Sequence, residues 1–232
     1  MKINILVCDW FEEWQSPETP TYAEMLQRLF SAVAPALEYK IFDVCRGVFP
    51  AEFHADERYL IPGSHDSAYD DTPRVRQLIR LIREMDAAKV RMAGICFGHQ
   101  VIAQALGGKV EKARQGWGTG VRRSAVCAPK ASGYFPEGTV SLLYNHHDQV
   151  TVLPPQAVCF AQSDFCPCEG FYVDDRILTF QGHPEYTPDY SRHLLLHHAG
   201  DEPEAVKAKA LASLDCPTDA AIAAEWMINM LG

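Results

Sequence analysis

Three residue types with the right chemistry stand out along the chain, and the first is a cysteine between glycines. In GICFGHQ (94–100), Gly94-Ile95-Cys96-Phe97-Gly98 follows the apolar run KVRMA and precedes a helical pattern. This is the G-x-nucleophile-x-G spacing of a strand-to-helix elbow. Such a turn forces its central residue into strained backbone geometry, and glycines on either side avoid a Cβ clash. Cys96 would then stand clear at the end of a strand. The Phe97 N–H, at the helix N-terminus, could donate to an oxyanion, and the helix dipole favours a thiolate. The same five residues also fit a glycine-rich turn around a packed thiol, and spacing alone does not separate the two. A nucleophilic thiol needs a base and a group to orient that base. GHPEY (182–186) offers His183 and Glu185, two positions apart after the apolar run RILTFQ. A carboxylate there can fix the imidazole tautomer and stabilise the imidazolium.

The elements needed to hold these residues are legible around them. KINILVC (2–8), LEYKIFDV (37–44), RYLIPGS (58–64) and VRMAGI (90–95) read as strands. TYAEMLQRLFSAVA (21–34) and TPRVRQLIRLIREMDAA (72–88) read as helices capped by Thr21 and Thr72, the second with Pro73 at its first position. GHQVIAQAL (98–106) is a helix ended by Gly107-Gly108. The alternation predicts an α/β fold with an open, mostly parallel sheet. From Lys109 to Phe180, short alternating runs punctuated by Gly and Pro predict a β-rich elaboration. The tail from Pro188 to Gly232 predicts two or three helices. No linker or repeat divides the chain, so residues 1–232 read as one domain.

Bulk composition narrows the function. The chain has 232 residues, 47% hydrophobic, with 21 basic and 30 acidic residues for a net charge of −9. That balance disfavours a nucleic-acid partner, which needs clustered Lys and Arg. No apolar run is long enough to cross a membrane, and the N-terminus has no secretion signal, so a cytoplasmic setting is expected. The eight cysteines then read as free thiols. Cys8, Cys45, Cys127 and Cys159 are expected to be packed, and Cys166-Pro-Cys168 lacks zinc or redox spacing. His193 and His197 share a helix face without the glutamate of a zinc pair, so no metal is expected. Trp117, between two glycines, is open between a lid and core packing. Trp10, Phe11 and Trp14 form an aromatic cluster of undecided role.

Taken together, GICFGHQ and GHPEY resemble the Cys-His-Glu elements of the class I (triad) glutamine amidotransferases, over roughly residues 40 to 190. NHHDQV (145–150) resembles the family's H-x-D-x-V loop between them, with His146, Asp148 and Val150 as matching positions. The resemblance implies a flavodoxin-like sheet with helices on both faces. It implies Cys96 as nucleophile, His183 as base and Glu185 as its orienting group. Phe97 and Gly63 would supply the oxyanion hole, although many members carry two glycines where this chain has Pro62-Gly63. Gln100, His146 and Asp148 would contact a small γ-glutamyl substrate, and no cofactor is required. GSHDSAYDD (63–71) and GWGTGV (116–121) are similar to the stand-alone, GMP synthase-like branch that includes γ-glutamyl peptide hydrolases. The implied reaction is hydrolysis of a γ-glutamyl amide through a glutamyl thioester. An ammonia-supplying subunit acting with a separate synthetase is the alternative. A cysteine peptidase or redox protein on a similar elbow is a third reading, but it has no need of His-Pro-Glu.

Overall fold

The computed structural model describes residues 1–9, 20–127, 138–197 and 202–232. Strands and helices alternate through the first half: β1 (Lys2–Val7), α1 (Tyr22–Val33), β2 (Glu38–Asp43), β3 (Arg58–Ile61), α2 (Pro73–Ala87), β4 (Arg91–Ile95) and α3 (Phe97–Ala105). The middle holds β5 (Lys109–Lys112), β6 (Gly118–Val126), β7 (Gly138–His146), β8 (Asp148–Val152), β9 (Val158–Gln162), β10 (Gly170–Val173) and β11 (Ile177–Phe180). Helices α4 (Pro188–His197), α5 (Glu204–Ser213) and α6 (Ala220–Leu231) complete it.

Local chemistry sets the helix starts. Thr21 and Glu24 form a reciprocal capping box at α1, and the Thr72 side chain accepts from the Val75 N–H with Pro73 at the first position of α2. Each cap of this kind is worth about 1 kcal/mol. Period-two alternation in the strands then divides the core. Tyr59 and Ile61 of β3 pack toward α2 and α3, while Leu60 between them packs on the side of α1 and α6. A strand apolar on both faces belongs at the middle of a sheet covered twice.

The main sheet runs β2-β1-β3-β4-β11-β10-β9-β6-β7. Its first five strands are parallel; from β10 outward the pairing is antiparallel. The fold is thus a flavodoxin-like α/β sheet extended by its β-rich elaboration. RILTF, grouped in sequence with that elaboration, instead returns to the parallel centre. Its register against β4 is Ile177↔Met92 through Phe180↔Ile95. All four β11 residues are buried, as a central strand requires, but apolar content does not reveal a strand's neighbour.

Two expectations are corrected. NHHDQV is a corner rather than a loop: β7 runs through His146, β8 begins at Asp148, and only His147 lies between. The cause is Val150, which pairs with Val110 of β5 in a separate two-stranded sheet. Cys127, just after β6, is exposed rather than packed, whereas Cys8 is buried and Cys45 and Cys159 are half-buried. Trp10, Phe11 and Trp14 lie outside the described residues.

Helix α3 crosses β3 closely enough that only glycine fits at the contact. A Cβ on Gly98 would lie 1.9 Å from the Ile61 carbonyl oxygen. Gly98→Ala should therefore cost about 3 kcal/mol or more, because backbone must move. At Gly47, with φ +80 and nothing within 4 Å, alanine should cost only about 1 kcal/mol of backbone strain. Urea midpoints of the two variants check this; equal, mild losses would contradict the described approach of α3.

Candidate active site

Strand β4 ends at Ile95, and the chain reverses at Cys96 with φ 52 and ψ −104 before α3 begins. Three non-glycine residues among those described have positive φ: Lys89, Cys96 and Asp174. Only Cys96 is buried, at 7% exposure. Such strain costs of order 1–3 kcal/mol and persists only where neighbours enforce it. Here they do. The Cys96 N–H donates to Phe180 O at 2.8 Å, and the Gly98 N–H donates to Pro62 O at 3.1 Å. The elbow is pinned from β11 on one side and from the β3 loop on the other.

Because β11 lies beside β4, the residues just past Phe180 arrive beside Cys96. His183 is held by its N–H to Leu143 O of β7 at 2.7 Å. Its Nδ1 lies 2.7 Å from Glu185 Oε1. His183 and Glu185 are 2% and 3% exposed. The Tyr186 ring stacks on the imidazole, with centroids 3.8 Å apart and planes 9° apart. The Tyr186 hydroxyl in turn lies 2.8 Å from the Tyr22 hydroxyl. Burial alone would lower the imidazole pKa. The Glu185 charge, then the adjacent Cys96 sulfur, overcome it and push His183 up to about 10.

Cys96 and His183 line a cleft of about 600 Å³ together with Gln100, His146 and Asp148. Their commitments differ. Gln100 Nε2 donates to Asp148 O at 2.8 Å and to Gln181 Oε1 at 3.0 Å. Both amide hydrogens are spent, so what Gln100 retains for a ligand is its oxygen. The Asp148 carboxylate accepts from Ser67 Oγ at 2.6 Å and from the Tyr69 hydroxyl at 3.0 Å. Its first task is to tie the loop after β3 to β8. His146 is 3% exposed; burial foremost, then the Arg122 and His183 charges, holds its pKa well below the ordinary value. It is a neutral ring wedged edge-on against Phe165 and Tyr144.

The two backbone positions expected at an oxyanion also come to this place. Phe97 is the first residue of α3, where an N–H has no intrahelical partner. Gly63 packs beside the imidazole: a Cβ there would lie 3.2 Å from His183 Cε1 and 2.6 Å from the Tyr22 hydroxyl. Trp117 is half-buried in the cleft wall, its ring 4.9 Å from that of His147. Three neighbours were not singled out in sequence. Tyr22 and Tyr186 carried no polar signal beyond their type. Gln181, whose Nε2 lies 3.6 Å from Cys96 Sγ, sat at the end of an apolar run where only its polarity marked it.

Among the described residues, Cys96 is the one thiol that lines this cleft, while His65, His147 and His197 stand in its wall with His146 and His183. Cys166 and Cys168 are buried, and none of the eight cysteines forms a disulfide. His193 and His197 face each other at 4.8 Å, but among the described residues no group of three or more ligating side chains could hold a metal ion. No described helix is long and apolar enough to cross a membrane.

Comparison with known proteins gives the family of the chain. Residues 44–200 match the family model described as Glutamine amidotransferase class-I, and the chain belongs to that family. It is 32% identical over 160 residues to Gamma-glutamyl peptidase 3 of Arabidopsis thaliana, covering 66% of this chain and 64% of that protein, just under two thirds of the relative's length. It is also 32% identical over 184 residues to Gamma-glutamyl peptidase 2 of the same plant, covering 75% and 74%. The crystal structure of a glutamine amido transferase from Methylobacillus Flagellatus superimposes with a TM-score of 0.75, covering 99% of this chain and 92% of that one at 22% identity, a likeness of fold.

The raised His183 pKa has a consequence for stability. In the unfolded chain an imidazole titrates near 6.5, whereas here it keeps its proton to about 10. The resulting stabilisation is complete below about pH 6.5 and is lost as pH rises through that window. Urea midpoints should decline from pH 6.5 to 10, and Glu185→Gln should flatten the decline. A wild-type midpoint constant over that range would contradict the description.

Proposed function

We propose that the protein is a stand-alone hydrolase of γ-glutamyl amide bonds, with Cys96 as nucleophile, His183 as acid and base and Glu185 as the group that orients and charges His183. The single observation that carries this reading is that Cys96, at the strained end of β4, lines the same cleft as His183, whose ring is buried with Glu185 Oε1 2.7 Å from its Nδ1. The Cys96 thiolate adds to the γ-carbonyl carbon of the substrate. The oxyanion that forms is met by the N–H groups of Phe97 and Gly63. The C–N bond then breaks as His183 hands its proton to the departing amine, leaving a glutamyl thioester. Water, deprotonated by His183, attacks the thioester and releases glutamate and the thiolate. In this reading the Gln100 oxygen accepts from the ammonium of the glutamyl group, and His146 and Asp148, which line the same cleft, belong to the wall around it.

Similarity to the two Arabidopsis peptidases favours a γ-glutamyl peptide or amine over free glutamine, and a chain that acts alone over one that feeds ammonia to a synthetase. The experiment is glutamate release from a panel of glutamine, γ-glutamyl dipeptides, glutathione and γ-glutamyl amines. At least one donor should turn over with the isolated chain. Cys96→Ala should lower that rate by about a thousandfold or more, and His183→Ala similarly. Mass spectrometry should find a glutamyl adduct that is absent from Cys96→Ala. Turnover retained in Cys96→Ala would end the reading, and turnover of glutamine only with an added synthetase would replace it by the subunit role.

A further inference from the structure

Gln181 follows directly on β11 and is fully buried, at 0% exposure. Burying an amide is costly unless its polar atoms are satisfied, and a leucine would continue the ILTF run just as well for packing. The amide is satisfied in a particular sense. Its Oε1 accepts from Gln100 Nε2 at 3.0 Å, and its Nε2 donates to Cys96 Sγ at 3.6 Å. An amide can be turned over, exchanging oxygen for nitrogen, so the direction of such a chain needs a fixed end. A main-chain carbonyl supplies it. Asp148 O can only accept, so Gln100 must present nitrogen to it, at 2.8 Å. The second hydrogen on that nitrogen reaches Gln181, which must answer with oxygen. The Gln181 nitrogen is thereby turned toward the sulfur.

We infer that Gln181 is a positioning residue for the nucleophile: it donates a hydrogen bond to the Cys96 sulfur, with its polarity locked through Gln100 by the Asp148 carbonyl. This rests on the reading of Cys96 as nucleophile. A donor aimed at sulfur favours thiolate over thiol, because hydrogen bonds to an ionised acceptor are the stronger ones. It also restrains the side chain at the strained elbow. Gln100, whose oxygen is left for the substrate, stands in the same chain, so occupancy of that oxygen is felt at the sulfur through one intervening amide.

The test is the rate of Cys96 alkylation by iodoacetamide against pH, read by peptide mass spectrometry on the full chain, with kcat and KM for the best donor of the panel. Gln181→Met, similar in size and without a donor, should alkylate about tenfold more slowly at neutral pH, a loss of one hydrogen bond to a charged group. Its profile should move to higher pH, and kcat should fall while KM changes by less than about twofold. Gln100→Met frees the Gln181 amide to turn and should move the profile in the same direction. Thermal melts establish which variants are folded. Gln181→Glu, nearly isosteric, replaces the Met variant if that one is not folded, and its carboxylate beside the sulfur should move the profile further. An unchanged profile in any folded Gln181 variant overturns the assignment. If wild-type Cys96 reacts fast and only the variant profiles fail to move, Gln181 alone is misassigned. If Cys96 is not the fastest of the eight thiols and Cys96→Ala keeps its turnover, the nucleophile reading falls, and this inference with it.

Discussion

The four-residue parallel ladder between β4 and β11 is the constraint on which the site depends. It sets Phe180 opposite Ile95, so the residues that follow each strand leave the sheet at the same edge. Nearly ninety positions of chain separate Cys96 from His183, yet each needs only a short turn beyond its strand to reach the other. This is the common logic of open α/β sheets, in which chemistry collects beyond the carboxyl ends of parallel strands. The antiparallel elaboration leaves after the elbow helix and must return before β11 can form. Its last link is the bridge from Leu143 to His183, which joins β7 to the site.

The second condition is electrostatic. An imidazole at 2% exposure is a poor place for a positive charge. What reverses that is the Glu185 charge at Nδ1, with the Cys96 sulfur adding to it and Tyr186 stacked across the ring face. The ring is thus fixed in plane, tilt and charge by different neighbours. Tyr22 brings α1 into the same layer through its hydroxyl contact with Tyr186, so the helix with the Thr21-Glu24 capping box supports the base from behind. Strain at Cys96 and the desolvation of the His183 ring oppose stability locally. The cores on either face of the sheet must offset them.

How much of this could be read from sequence follows from how local each signal is. The capped helices, the first four strands and the glycine-flanked cysteine depend on residues a few positions apart, and all of them emerge from periodicity and spacing. The place of β11 does not, because an apolar run of four carries no mark of its partner. The pairing of Cys96 with His183 came from family likeness rather than from geometry. Asp148 looked like a substrate contact, but Ser67 and Tyr69, about eighty positions earlier, already occupy its carboxylate. Gln181 looked like the polar end of a strand, and its significance required knowing that a carbonyl on β8 orients Gln100. NHHDQV looked like a loop because two histidines and an aspartate masked the Val150–Val110 pairing.

The account stands on the Cys96 sulfur lying near enough to the His183 ring, in one cleft, to act on its charge, and nitrogen-15 NMR of the imidazole reads it most directly. In the wild-type chain at pH 8, both His183 nitrogens should carry protons, and Cys96→Ala should lower the pH at which the ring gives one up. A neutral His183 ring at that pH, with a titration indifferent to the Cys96 substitution, would contradict the account.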